Sequence, residues 1–188
     1  MEIYLVRHTT PTIKKGICYG QSDLDLAMSW KDEFITVASN LPFADTATII
    51  SSPLKRCALL AQNLGNTIVY DNRLKELNFG DWELKNWNEI SEKELTSWMQ
   101  DFVNVQVPNG ESYTQLASRV FSFFEAIKVS KVYKTVVIVT HAGPIRALLS
   151  KLLDMPLKDS FKIKINYGDV FHITKENNQF QLKTNINL

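Results

Sequence analysis

The chain has 188 residues, 45% of them hydrophobic, with 21 basic and 20 acidic side chains and a formal net charge of +1. That is enough apolar material for one well-filled core, and the charge balance leaves no broad electrostatic footprint for nucleic acid or a membrane surface. Cys18 and Cys57 show neither metal spacing nor a framework of pairs, and the apolar run before Arg7 is too short for a signal peptide or a membrane span. A cytoplasmic protein in a reducing compartment is expected.

In chain order, residues 2–7 read as a short buried strand running into Arg7-His8-Thr9-Thr10. Residues 26–40 read as a helix, and TATIISS (46–52) as a second strand. A helix is expected from Pro53 through LKRCALLAQNL (54–64), because proline suits a first helical position and serines suit the residues before it. FGDWELKNWNEISEKELTSWMQ (79–100) holds Trp82, Trp87 and Trp98 among many charges. It either packs as helix against the sheet or forms a small lid, around 79–110, whose aromatics wall a pocket.

Residues 112–131 read as a long helix with Ser112 placed to cap it. KTVVIVTHAGPIRALLSKLL (134–153) combines a fully apolar strand, a sharp turn at His141-Ala142-Gly143 and a helix opening at Pro144. GDVFHITK and QFQLKTNI flank Asn177-Asn178 and read as a hairpin. Apolar strands alternating with helices imply an α/β fold, a three-layer αβα sandwich around a largely parallel sheet. One domain over residues 1–188 is expected; the oligomeric state leaves no signature.

Three strand ends share a pattern. Arg7-His8 follows the first strand, Ser52-Pro53-Leu54-Lys55-Arg56 the second, and His141-Ala142-Gly143 the long apolar one. In a parallel sheet these ends lie on one edge, where open α/β sheets bind ligands. Two arginines and two histidines gathered there repel one another unless something anionic sits between them. Helix N-termini near residues 53 and 144 add N–H donors and partial positive charge. Such a cluster suits a phosphate. Zinc is the competitor for two histidines, but the chain has only three, catalytic zinc normally takes three protein ligands, and His172 in VFHIT alternates with apolar neighbours as a packed strand residue does. No metal and no cofactor are expected.

The ordered motifs LVRHT, CYGQSDLDLA, SSPLKRC, RLKELNFGDWE, NGES and VTHAGPIRALL resemble the histidine phosphatase superfamily, the phosphoglycerate mutase-like branch 1, over nearly the whole length. The RHT start, GICYGQSDLDLA and ELNFGDWE look most like its alpha-ribazole-5′-phosphate phosphatases, which act late in assembly of the cobalamin nucleotide loop. The resemblance implies a phosphoglycerate mutase-like fold, no metal, and a small-molecule phosphomonoester as partner.

It also implies roles. His8 is the nucleophile that becomes phosphohistidine, and His141 is the second histidine of the pocket, protonated. Arg7 and Arg56 hold the phosphoryl oxygens, and Glu76 is the acid for the leaving alcohol. Gly20 and Gln21 lie where the family's loop touches phosphate or substrate, and Ala142 and Gly143 lie at the second histidine's turn. The chemistry agrees with these roles: passing the phosphoryl group through His8 splits one hard hydrolysis into two displacements, and fixed cations stabilise the charge that builds on phosphorus oxygens. His8 must be neutral at its attacking nitrogen, so its other nitrogen is expected to be held by a backbone carbonyl.

Two positions depart from the family pattern. Thr9 stands where glycine is usual, and its hydroxyl either contacts substrate or packs. Leu84 stands where glycine commonly follows the Trp-Glu pair. Glu83 either shapes the pocket or caps a helix, and the Glu111-Ser112 pair either caps the next helix or borders the pocket. Tyr19 or Trp82 is a candidate to stack on a planar base.

Overall fold

The computed structural model of the protein describes residues 1–41, 46–130, 132–177 and 179–186. Strand β1 (Glu2–Arg7) lies at the heart of a six-stranded sheet. It is followed by α1 (Trp30–Ser39), β2 (Thr48–Ser51), α2 (Lys55–Leu64), β3 (Ile68–Tyr70) and α3 (Glu92–Gln100). The chain continues through α4 (Tyr113–Val129), β4 (Thr135–Thr140), α5 (Ala142–Leu152), β5 (Val170–Glu176) and β6 (Gln179–Leu182). The sheet order is β3-β2-β4-β1-β5-β6. Strands β1 to β4 are mutually parallel, and the β5-β6 hairpin is antiparallel at one edge.

Alternation along the central strands assigns the two faces. Ile3 and Leu5 of β1, with Val136 and Ile138 of β4, pack under α4 and α5 through Leu116, Val120, Phe123, Ile145 and Leu149. Tyr4 and Val6, with Val137 and Val139, face the other way onto Val37 of α1 and Cys57, Leu60 and Leu64 of α2. Each fully buried aliphatic side chain here contributes about 1.5–3 kcal/mol. This two-sided burial is why β1 and β4 read as unbroken apolar runs. The fold is the expected αβα sandwich.

Several boundaries shift for local reasons. The helix expected over 26–40 begins only at Trp30, because Leu26 is held in a bridge with Pro11 and the Ala27 N–H reaches the Thr10 carbonyl. Helix α2 begins at Lys55, since Leu54 is extended (φ −61°, ψ 136°) and Pro53 precedes the cap. Conversely, α5 starts at Ala142 with His141 as its N-cap, and Pro144 sits inside the first turn, where a missing N–H costs nothing. Helix α4 carries the expected Ser112 cap, a reciprocal pair with Gln115, and stops at Val129; Lys131 lies outside the described residues. The hairpin turns at Asn177 (φ +48°), and Asn178 lies outside the described residues. Strand β3, three residues at the sheet edge, was not expected. Among the described residues no helix is long and apolar enough to cross a membrane.

The tryptophan segment resolves into short 3-10 turns and α3. Trp82 is buried with Cys18, Ile90 and Val107, backed by Trp87 and Trp98, and its indole N–H donates to Glu94 Oε2 at 3.2 Å. The candidacy of Trp82 as a base-stacking wall is corrected by that burial. Leu84, at the family's glycine position, keeps a left-handed backbone (φ +64°) with its side chain exposed, at a cost of about 1–2 kcal/mol for a residue with a Cβ.

Candidate active site

The parallel register of β1 and β4 pairs Arg7 with Thr140, so the next residues, His8 and His141, leave the sheet side by side. The His8 N–H donates to the Thr140 carbonyl at 3.0 Å, and the two imidazoles meet edge to face with centroids 5.0 Å apart. Strand β2 ends alongside, its Ser52 N–H bonded to the Val139 carbonyl. Ser52 Oγ lies 2.9 Å from His141 Nε2. Two strand ends and a helix cap therefore assemble the histidine pair.

His8 Nδ1 lies 2.7 Å from the Thr9 carbonyl oxygen, which only accepts, so in the neutral ring Nδ1 carries the hydrogen. Arg56 Nε donates to His8 Nε2 at 3.3 Å, which requires a lone pair there. Both neighbours select the same tautomer. Burial, then Arg56 and Arg7, hold the His8 pKa well below the ordinary imidazole value. Neutral Nε2 is the form a nucleophile needs.

His141 is the more strongly packed of the two rings. Burial, followed by Arg56, His8 and Arg7, pushes its pKa well below the ordinary value. That favours the neutral ring, and a phosphate dianion beside it favours the proton. The Cys57 thiol packs against its ring, 3.4 Å from Nε2, and burial pushes that thiol's pKa up.

Arg56 is completely buried, its Nη1 donating to the Ser22 carbonyl (2.9 Å) and Nη2 to the Gly20 carbonyl (2.5 Å). No carboxylate of the described residues neutralises it within 4 Å. Arg7 donates Nη1 to the Ile165 carbonyl at 2.8 Å and lies 3.8 Å from the centroid of the Tyr167 ring. Its buried Nε has no partner, an orphaned donor costing about 1–3 kcal/mol until an acceptor arrives. The Thr9 hydroxyl, also buried, has no partner either.

Glu76 accepts from the Leu77 N–H through Oε1 (2.9 Å) and from the Gly143 N–H through Oε2 (3.2 Å). The absence of a side chain at Gly143 lets the carboxylate sit there: a Cβ would stand 2.2 Å from Glu76 Oε1 and displace it. The Gly143 N–H is thus given to Glu76 in this structure. The segment carrying Glu76 is anchored by Arg119, which donates to the carbonyls of Arg73, Lys75 and Glu76 and pairs with Glu111 at 2.5 Å. Glu111 also accepts from the Asn78 N–H, so it braces this segment while Ser112 caps α4.

Glu83 shapes the pocket. Its carboxylate accepts from the Gly20, Gln21, Ser22 and Phe79 N–H groups and from the Ser22 hydroxyl. Burial raises its pKa, but those hydrogen bonds outweigh burial and leave it below the usual value. The loop it gathers presents the carbonyls that hold Arg56, and Gln21 Nε2 bonds the Glu76 carbonyl at 3.0 Å. A Cβ on Gly20 would fall 1.8 Å from the Leu77 carbonyl oxygen, so only glycine allows this loop to close.

Arg7, His8, Glu76 and Gly143 line a cavity of about 240 Å³ together with Ile17, Tyr19, Phe79, Trp87, Tyr113, Arg146 and Phe161. Of the other expected residues, Arg56 and His141 lie fully buried beside His8, while Thr9, Gly20, Gln21 and Ala142 form the shell outside the lining. A larger groove of about 630 Å³ includes Glu33, Asp169 and His172. Its carboxylates repel a phosphate, and His172 there stacks on Tyr4 and bonds Glu2. The smaller cavity is the candidate site. Among the described residues no group of three His, Cys, Asp or Glu is placed to hold a metal ion.

The model of the histidine phosphatase superfamily (branch 1) matches residues 3–187. The chain belongs to that superfamily. As a histidine phosphatase it is a phosphoric monoester hydrolase with a small phosphate ester as substrate. A protein of Hydrogenobacter thermophilus assigned as a phosphoserine phosphatase is 30% identical over 182 residues, 93% of this chain and 89% of that one. An Escherichia coli protein assigned as a phosphoglycerate mutase, GpmB, is 31% identical over 165 residues, 83% of this chain and 76% of that one. The alpha-ribazole phosphatase of Shigella flexneri superimposes with a TM-score of 0.90 over 100% of this chain and 96% of that one, at 20% identity. YhfR of Bacillus stearothermophilus gives 0.85 at 24% identity over 97% and 95%. The last two likenesses are of fold.

Arg146 and Tyr167 were missed by sequence reasoning. Arg146 lies inside the quoted VTHAGPIRALL but reads as an ordinary helix position, and Tyr167 reaches Arg7 only through the return of the chain before β5.

Arg56→Lys tests the buried cation. A lysine keeps charge but cannot serve His8 Nε2, Ser22 and Gly20 at once. The expected fall in kcat/KM is at least about tenfold, ~1.4 kcal/mol of transition-state binding. Wild-type kinetics in this variant would place Arg56 outside the chemistry.

Proposed function

We propose that this histidine phosphatase hydrolyses its ester by transferring the phosphoryl group to Nε2 of His8, and that the physiological ester is alpha-ribazole-5′-phosphate. The observation that carries the mechanism is the state of His8: neutral, its tautomer fixed by the Thr9 carbonyl, its unprotonated Nε2 accepting a long hydrogen bond from Arg56 that the phosphoryl group replaces. Arg7 meets the equatorial oxygens with its unpartnered Nε, and Arg56 adds its buried charge and the second N–H of each terminal nitrogen, only one of which goes to a carbonyl. Such preorganised charge is usually the largest contribution to rate. Glu76, on the same cavity wall, gives a proton to the leaving alcohol and then takes one from the water that attacks phosphohistidine. His141 donates an N–H to the phosphoryl group and is protonated as the dianion binds.

The finer reading is supported by the walls. Tyr19, Phe79, Trp87 and Phe161 line the cavity beyond the phosphoryl end and suit a planar heteroaromatic base. The segment 79–110 acts as the lid that supplies two of these rings.

Purified protein assayed against a set of phosphomonoesters tests both levels. Alpha-ribazole-5′-phosphate is expected to exceed O-phosphoserine and glycerol phosphate in kcat/KM by at least about tenfold. Isomerisation of 3-phosphoglycerate faster than its hydrolysis would make the chain a mutase. Phosphate binding with no turnover of any ester would make it a binding module.

A further inference from the structure

The chain has five arginines, and their guanidinium groups fall into two kinds. In Arg56, Arg73 and Arg119 every side-chain nitrogen is engaged: by His8, Ser22 and Gly20; by Asp71 and Ser122; and by Glu111 with three backbone carbonyls. The forks of Arg7 and Arg146 are open, and these are the two arginines that line the cavity. Arg7 spends one nitrogen on the Ile165 carbonyl, and Arg146 spends Nε on the Ile163 carbonyl at 3.3 Å. Neither has a carboxylate of the described residues within 4 Å.

The two terminal nitrogens of Arg146 have no hydrogen-bond partner among the described residues and keep some solvent exposure, so their N–H groups are open to a ligand in the cavity. Arg146 is also held in place rather than free to swing. Its Nε bond fixes the stem, and the guanidinium lies 4.9 Å from the centroid of the Phe161 ring, a cation–π contact with a second residue of the cavity lining. Burial, opposed by Glu76 and reinforced by Arg7, pulls its pKa below the usual arginine value. On the proposed mechanism Arg7 serves the phosphoryl group beside His8, so a second open fork in the same cavity is free for another part of the ester.

On the phosphatase reading above, we propose that Arg146 is a specificity residue that recognises a pair of oxygen acceptors on the leaving group. A planar fork with two parallel donors matches a carboxylate or a cis-diol and finds nothing on a bare alkyl chain. The carboxylate is the form found in acidic phosphorylated metabolites, and the cis-diol is the form presented by a ribose 5′-phosphate. Both offer the same two-oxygen contact.

Three alkyl esters separate these cases: 3-phosphoglycerate for the carboxylate, methyl β-D-ribofuranoside 5-phosphate for the diol, and propyl phosphate with neither. Each is measured with wild type and with Arg146→Met and Arg146→Lys, and the readout is the ratio of kcat/KM to that for propyl phosphate in the same preparation. That ratio is independent of how much of a variant is folded. In wild type one of the two oxygen-bearing esters is expected to exceed propyl phosphate at least about tenfold, and Arg146→Met to reduce that ratio to within about threefold of unity. Arg146→Lys retains part of the ratio if the acceptor is the carboxylate and loses it if the acceptor is the diol. A wild-type ratio near unity for both esters overturns the proposal, as does a ratio that survives Arg146→Met. So does an equal loss on all three esters, which would place Arg146 on the phosphoryl group itself. Turnover of none of the three by wild type would overturn the phosphatase reading first, and this one with it.

Discussion

His8→Ala is expected to abolish turnover, with kcat falling at least about 10³-fold, while inorganic phosphate or vanadate still binds. Arg7 and Arg56 remain in that variant, and the orphaned Arg7 Nε still requires an acceptor. Rapid quenching of wild type with labelled substrate should trap a phosphoryl adduct on His8 that is labile in acid and stable in base. The physical reason the nucleophile is ready is its low pKa, set first by burial and then by Arg56 and Arg7. Nε2 therefore keeps its lone pair as pH falls through the ordinary imidazole range, and protonation of His8 does not produce an acid limb near 6.5. Label on serine, or on His141 alone, would overturn the assignment.

The central sheet was legible because β1 and β4 are buried on both faces, which leaves unbroken apolar runs, and because Arg7-His8 and Thr140-His141 follow them at once. Parallel pairing in register then makes the histidines neighbours. The edge was not legible: β3 offers three residues, and Val69 and Tyr70 are exposed. At the site, sequence supplied the residues that act along the chain's own motifs, left Glu83 between two roles, and missed residues whose role depends wholly on distant partners. Glu83 gathers a loop more than sixty residues away. Arg119 on α4 fixes the backbone of Glu76, and Tyr167 covers Arg7 and bonds the Tyr19 hydroxyl at 2.7 Å. No local periodicity encodes such contacts. The two charge states of His141 have one origin: burial, Arg56 and Arg7 favour the neutral ring on their own, and a bound anion between the same cations favours the protonated one.

Glu76→Gln is expected to separate esters by what leaves rather than by what attacks. When the P–O bond breaks, an alkyl alcohol departs as a strongly basic oxyanion unless a proton reaches it, and a positioned acid is typically worth about 10²–10⁴-fold in that step. A p-nitrophenolate needs no proton. Glutamine at this position fills the same space between the Leu77 and Gly143 N–H groups, although its amide can accept from only one of them. Because that strain is common to every substrate, the diagnostic is the difference between leaving groups within the one variant. The phosphorylation step should fall by at least about 10²-fold with an alkyl ester such as alpha-ribazole-5′-phosphate and by less than about tenfold with p-nitrophenyl phosphate. Burst kinetics must be used to isolate that step, since on the proposed mechanism Glu76 is also the base for water in the second displacement, so that its loss slows steady-state turnover of both esters. With the aryl ester the variant should then accumulate phosphohistidine, visible as a burst of p-nitrophenolate equal to the enzyme present. Equal losses in phosphorylation for the two leaving groups would remove Glu76 from the acid's role. Glu83 could not simply replace it, because its carboxylate is committed to the Gly20–Ser22 loop and held ionised by the donors around it. The proton would then have to come from another group on the cavity wall, and the Tyr19 hydroxyl, which lines the cavity and is hydrogen-bonded to Tyr167, would be the residue to substitute next.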